Sequence, residues 1–158
     1  MYRRALFFLM VASFAGLLVA LYAFAHNQFF LSGDFCSISD SFDCDVVNQG
    51  PYATINGISV ALIGVIGYLF LFLASVLKWK KPSDFALTLF LVLASAGGLL
   101  FSLYLTGIEA FVLQVWCLIC LTSQVLIAIF FGLSVWVWYQ ERRAGRIQAT
   151  PDKREPPG

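Results

Sequence analysis

Four cysteines carry the chemistry open to this chain. Cys36 and Cys44 have seven residues between them, and Cys117 and Cys120 form a Cys-x-x-Cys within Trp116-Cys117-Leu118-Ile119-Cys120. Helical positions three apart share a face, so sulfurs at the second spacing can meet and close a disulfide, open it, or bind a soft metal. A disulfide across one helical turn closes a very small loop and restricts the unfolded chain little, so this pair is better suited to reacting than to stapling. The wider pair admits the staple more readily, as cysteine pairs in outward-facing segments often do. A four-thiolate zinc site would use the same four residues, but a seven-residue gap is wide against the usual knuckle spacings, and no metal is expected. A soluble thioredoxin-type domain does not fit either. Its Cys-x-x-Cys belongs near a βαβ unit, and this one opens a long apolar stretch.

The elements that must position these cysteines are membrane helices. The chain has 158 residues, 60% hydrophobic and 12% charged, with a mean hydropathy of +0.84. A soluble domain is roughly 45–50% apolar and about 25% charged. The pattern predicts an all-α integral membrane protein, a four-transmembrane-helix bundle occupying residues 1–140, since about 20 apolar residues cross a bilayer as a helix. The expected spans are 5–25, 55–77, 85–105 and 111–139. The first, Ala5 to Ala25, ends on a small-x-small triplet, but the apolar core of a cleaved signal is usually about 7–15 residues and this run is longer, so it reads as a retained helix. The loop 26–54 carries Asp34, Asp40, Asp43 and Asp45 and no Lys or Arg. Within it, Ser39-Asp40-Ser41-Phe42-Asp43 is set to open a short helix, with a hydroxyl cap and acids in the first turn. Pro82-Ser83-Asp84 supplies a turn and a cap for the third span, Thr106-Gly107-Ile108-Glu109 a short turn after it, and Glu141-Arg142-Arg143 a stop for the fourth. Residues 141–158, rich in proline and charge, read as a disordered cytoplasmic tail. Small residues four apart, Ala12, Gly16 and Ala20 in the first span and Ala94 and Gly98 in the third, suit close helix packing in lipid.

Charge orients the bundle. All ten Lys and Arg lie at the N-terminus, between the second and third spans, or after the fourth. The positive-inside rule places those segments in the cytoplasm, both termini included. The acidic loop, the 106–110 turn and all four cysteines then face outward. The outer side of a bacterial inner membrane is oxidising, so disulfides form and persist there. The few basic residues form no patch interleaved with aromatics, which argues against nucleic acid, and no span carries a midplane charge or a Gly/Pro break of the kind transporters use. At the head of a helix, free N–H groups and the dipole favour a thiolate, more so at Cys117 than at Cys120. Cys120 lies one turn deeper, toward the hydrocarbon, where a lipid-soluble quinone can take two electrons and two protons. The loop pair is placed to relay electrons from a water-soluble thiol by thiol–disulfide exchange.

The chain resembles the vitamin K epoxide reductase (VKOR) family in its bacterial form. The resemblance rests on Cys36 and Cys44, on Cys44-Asp45-Val46-Val47, on Pro51-Tyr52-Ala53-Thr54-Ile55-Asn56-Gly57-Ile58-Ser59 leading into the second span, and on Cys117-Leu118-Ile119-Cys120 heading the fourth. It implies a four-helix bundle around a quinone (ubiquinone, menaquinone or a vitamin K type) near the outer surface. Cys117 and Cys120 would form the active disulfide, with Cys120 nearest the quinone. Cys36 would meet a partner's cysteine and Cys44 would pass electrons to Cys117. The implied partner is a periplasmic, DsbA-like thioredoxin-fold protein that makes disulfides in secreted proteins; with the chain running to Gly158, that partner is expected as a separate polypeptide. Asn56 at the head of the second span, Gln124 one turn below Cys120, and Tyr104 in the same outer layer are candidate quinone contacts. An interfacial cap for Asn56 and helix–helix hydrogen bonding for Gln124 compete with that role. Trp116 reads as an interfacial anchor, and His26, the only histidine, as a residue of the solvated boundary. Gly50 stands where many relatives have serine, Ser59 where they have proline, and Gln124 where vertebrate enzymes have tyrosine, which weakens the case for vitamin K epoxide as substrate and for tight coumarin binding. A DsbB-type quinone oxidase has the Cys-x-x-Cys in its first outer loop, the reverse of the order here. A non-catalytic four-span scaffold with two structural disulfides is the reading from a different class.

Overall fold

The computed structural model describes residues 2–28, 47, 50, 52–55 and 57–148. Four helices in it are long and apolar enough to cross a membrane. The first, α1 (Tyr2–Asn27), is apolar on nearly every side, as a helix with lipid on one flank and protein on the other must be. Its buried residues, Ala5, Leu6, Leu9, Ala12, Ser13, Gly16, Ala20 and Ala23, recur at helical spacing and form one stripe. Gly16 sits directly under the ring of Tyr68, where a Cβ would overlap the aromatic carbons. The small-residue ladder on α1 therefore does what its spacing predicts.

Two short strands follow, β1 (Thr54–Ile55) and β2 (Ile58–Ser59), paired antiparallel with Thr54 opposite Ser59 and Ile55 opposite Ile58. Gly57, at φ +83°, supplies the left-handed backbone that a two-residue hairpin demands. The helix expected from residue 55 thus begins only at Val60. Asn-Gly between β-branched residues is a hairpin signal, and it prevails over the apolar run. The helix α2 (Val60–Lys80) is tied back to the hairpin by Val60 N–H donating to the Ala53 carbonyl at 2.9 Å.

The turn 81–84 leads to α3 (Phe85–Ile108), capped by Asp84, whose carboxylate accepts from Ala86 N at 3.0 Å and Leu87 N at 3.4 Å. The turn expected at 106–109 is absent. The α3 helix continues into a π-helical turn, Glu109–Leu113, and ends on Gln114 with φ +54°. Consequently the last helix, α4 (Leu118–Gln148), starts later than the expected residue 111. It also runs through Glu141-Arg142-Arg143, which the sequence reading expects to stop it. Those residues find partners along and across the helix: Arg142 stacks over Trp138 at 4.1 Å, Arg143 over Tyr139 at 4.4 Å, and Glu141 pairs with Lys78 at 2.6 Å. The short helix expected near 39–47 lies outside the described residues except for Val47, which is helical, and the tail beyond 148 lies outside them altogether.

The helices run up and down in a ring. The α1 helix packs on α2 and α4, and α3 closes the ring against α4 and, more thinly, against α2. One end is fastened by a polar knot. Lys78, fully buried, donates to the Asp84 carbonyl at 2.7 Å and pairs with Glu141 Oε1 at 2.6 Å. The Tyr2 hydroxyl lies 2.6 Å from the same Oε1 and 3.0 Å from the Pro82 carbonyl. This knot draws together α1, α2, α4 and the turn before α3 at the end that carries the basic residues. The hairpin, the π-helical turn and the Cys-x-x-Cys gather at the opposite end.

Candidate active site

Cys117 is fully buried and sits just before the first residue of α4. It caps that helix in two ways. Its carbonyl accepts from Leu121 N at 3.0 Å, and its Sγ accepts from Cys120 N at 3.3 Å, the position a serine oxygen takes in an ordinary N-cap. Both residues are thiols in this structure. The hydrogen bond from the Cys120 thiol holds the Cys117 thiol below its usual pKa, against the opposing effects of burial and of the Glu109 charge. The head-of-helix argument from sequence therefore points to the right cysteine, although the neighbouring sulfur contributes more than the dipole alone. The expected consequence is a Cys117 thiolate that forms at lower pH than that of an ordinary free thiol. Replacing Cys120 by alanine removes the largest cause, so the thiolate ultraviolet absorbance should then appear at higher pH.

Glu109 is the residue that sequence reasoning passes over. In sequence it reads as part of a turn, yet it opens the π-helical turn, is 2% exposed, and accepts from Cys117 N at Oε2 across 3.3 Å. Glu109 and Cys120 also line one small cavity together. The available signal is a lone acid between two apolar spans at the cysteine end. A π-helical turn is itself a frequent companion of functional sites.

Cys120 lines two cavities. The larger, about 590 Å³, runs down the thin α2–α3 seam. Its walls are apolar, and glycines make its room: Gly67 and Gly97 have open space where a Cβ would stand. Ala94 and Gly98, expected to serve only in packing, line it as well; a Cβ at Gly98 would stand 3.5 Å from Ile127 on α4. Its polar lining lies in the half near Cys120, from Ser102, Thr106 and Ser123. The Tyr68 hydroxyl donates to the Ser123 carbonyl at 2.8 Å. The smaller cavity, about 40 Å³, lies toward the hairpin, with Asn27, Tyr52, Ser59 and Glu109 among its lining.

The other candidates separate. Cys36, Cys44 and Asn56 lie outside the described residues. Val47, three residues after Cys44, packs on Cys117 together with Ile119 and Cys120. The Gln124 carbonyl oxygen accepts from the Thr106 hydroxyl, a bond between α3 and α4, and Gln124 is not among the residues lining the large cavity. Tyr104 is 63% exposed on the outside of the bundle and lines neither cavity. Trp116 is half-buried, and His26, expected at a solvated boundary, is fully buried at the end of α1.

A family model described as the vitamin K epoxide reductase family matches residues 7–135, which takes in α2, α3, most of α1, the first half of α4 and all four cysteines. No curated protein matches the chain.

Proposed function

The chain belongs to the vitamin K epoxide reductase family, and from that premise we propose that it takes electrons from a periplasmic thioredoxin-fold protein and delivers them to a membrane quinone, so supporting disulfide formation. Membership makes it a multi-pass membrane protein with the family's quinone-associated thiol oxidoreductase chemistry. The finer path is the reading offered here. It rests most on one observation: Cys120 of the Cys-x-x-Cys lines an apolar cleft of about 590 Å³ along the α2–α3 seam.

The cleft fits a quinone by size and chemistry. Ligand pockets run to about 300–1,000 Å³, mostly apolar with a few placed polar groups. Here the glycine-lined walls suit an isoprenoid tail, and the hydroxyls of Ser102, Thr106 and Ser123 lie on the half nearer Cys120, where a ring would be held. When bound, a quinone supplies an acceptor for two electrons and two protons.

The protein's part is a chain of sulfur exchanges. Cys36 forms a mixed disulfide with a cysteine of the partner, which frees Cys44. Cys44 attacks Cys117 Sγ, breaking the Cys117–Cys120 disulfide and leaving Cys120 reduced against the cleft. Each exchange breaks one S–S bond and forms another. The contact of Val47 with Cys117 favours this order, because Val47 stands three residues after Cys44 in the chain. The outer side of a bacterial inner membrane, with both termini cytoplasmic, is the location consistent with the charge pattern.

The test is quinol formation by the purified protein with a separate reduced thioredoxin-fold donor. Cys36→Ala and Cys44→Ala should stop donor-dependent turnover yet leave a small dithiol able to drive it; unchanged turnover with the protein donor would remove the loop from the path. Filling the cleft gives an orthogonal check. Gly97→Leu meets nothing at the Cβ position and should gain about 1 kcal/mol of helix propensity or less. It should raise the quinone KM at least about tenfold, the effect of roughly 1.4 kcal/mol. An unaltered KM would place the quinone elsewhere.

A further inference from the structure

Glu109 is the only carboxylate among the described residues at the cysteine end of the bundle; the others, Asp84 and Glu141, stand at the opposite end. It accepts from Cys117 N at Oε2 and lines one small cavity with Cys120, so it stands beside both reactive residues. No described Lys or Arg is near enough to pair with it, since all of them lie at the far end. Among the described residues, the titratable groups facing it are Cys117 just before α4, Cys120 in its first turn, and Tyr52 across the small cavity. His26, at the same end of the bundle on α1, lines neither cavity.

The small cavity adds an independent observation. At about 40 Å³ it has room for about two waters. Ser59, 7% exposed, lines it, and its hydroxyl has no partner among the described residues. A buried hydroxyl without a partner beside a water-sized cavity is the usual sign of a water site. Glu109 and Cys120 both line this cavity, and of the two only Cys120 continues into the large apolar one. A small cavity with the Ser59 hydroxyl and the Glu109 carboxylate in its lining thus abuts the reacting thiol next to the apolar cleft.

We infer that Glu109 is the base that takes the proton from the Cys120 thiol when the Cys117–Cys120 dithiol is oxidised, and that the water-sized cavity lined by Ser59 and Tyr52 connects that carboxylate to the outer surface. The step balances. The Cys120 S–H bond breaks and its proton passes to Glu109, the Cys117 thiolate forms the S–S bond with Cys120 Sγ, and two electrons leave to the oxidant. With a quinone as oxidant, two protons are taken up in turn: the one held on Glu109 and one from the cavity, which replaces the proton Cys117 lost on becoming a thiolate. The inference rests on the proposed function for its physiological oxidant, but the proton transfer belongs to the dithiol itself and is testable without a quinone.

The experiment follows oxidation of the reduced, quinone-free protein by a soluble aromatic disulfide as a function of pH, in a Cys36→Ala/Cys44→Ala background, beside Glu109→Gln and Glu109→Asp. The amide introduced by Glu109→Gln would still accept from Cys117 N but cannot take a proton, and thermal unfolding of each variant monitors the fold. Glu109→Gln should slow oxidation at neutral pH about 100-fold, within the range for loss of a general base, and its rate should climb steeply with pH as solvent base substitutes. Glu109→Asp should recover part of the rate and the shallow profile. An unchanged rate and profile in Glu109→Gln would reduce Glu109 to a cap for α4. So would equal slowing in Glu109→Asp and Glu109→Gln, which marks lost geometry rather than a lost base. Failure of the wild type to reduce quinone would count against the proposed function and leave this measurement intact.

Discussion

Cys120→Ser is expected to abolish quinone reduction while the bundle stays folded. Serine is close to cysteine in size, and the residue is only half-buried against two cavities. Stability should therefore change by about 1 kcal/mol or less. Activity should fall on the order of 10⁴-fold or more, the scale seen when a nucleophile is removed from a group of residues that act together. Cys117→Ser should do the same to turnover for a different reason, since it removes the sulfur that closes the disulfide. The pair of variants should be no worse than either alone. Quinol assays with purified variants, matched for thermal unfolding, check both points; additive losses would mean that the two sulfurs act separately.

The second large effect is expected at the other end of the molecule and in the other quantity. Lys78 is fully buried, and its ammonium is held by Glu141 Oε1 and the Asp84 carbonyl. Removing one partner of a buried pair leaves a charge uncompensated and typically costs about 3–5 kcal/mol. Lys78→Met should therefore lower stability by that much, leaving the Glu141 carboxylate without its counter-charge and with the Tyr2 hydroxyl as its remaining donor. Lys78→Met with Glu141→Leu should recover most of the loss, because two well-packed apolar groups need no desolvation. Activity per folded molecule should stay near that of the parent, since Lys78 lies about 27 Å along α2 from Val60, at the cysteine end. Denaturation midpoints of the single and double variants decide it, and a double variant as unstable as the single would show that the pair contributes attraction well beyond its desolvation cost.

The contrast between the two ends explains what could be read from the sequence. The four spans follow from runs of apolar residues long enough to cross a bilayer, and Asp84 as a cap follows from its place before Phe85. The Cys-x-x-Cys was legible because its spacing matches a helical turn and because it falls at the end of the chain's apolar stretches where Lys and Arg are absent. The hairpin at 54–59 was hidden under an apolar run, although Asn56-Gly57 announces a two-residue turn. Glu109 was hidden because a lone acid between spans looks like a loop residue; only the π-helical turn, a tertiary accommodation, brings its carboxylate onto Cys117 and Cys120. Hydropathy also counts Gly64, Gly67 and Gly97 as mere helix positions. Their lack of side chains becomes a cavity only once α2 and α3 are placed side by side. Lys78 and Glu141 read as flanking charges, and their burial depends on four segments meeting at one point.

The central claim is that electrons leave the Cys117–Cys120 dithiol for a lipid-soluble quinone. The most direct measurement is a single anaerobic turnover of reduced Cys36→Ala/Cys44→Ala protein mixed with a ubiquinone or menaquinone analogue, with quinol followed by absorbance and the sulfurs by mass spectrometry. The account predicts one quinol formed for each Cys117–Cys120 disulfide, at matching rates. Dithiol that persists with every quinone offered, in protein shown to be folded, would contradict it and leave the Cys-x-x-Cys as a structural element of a four-span bundle.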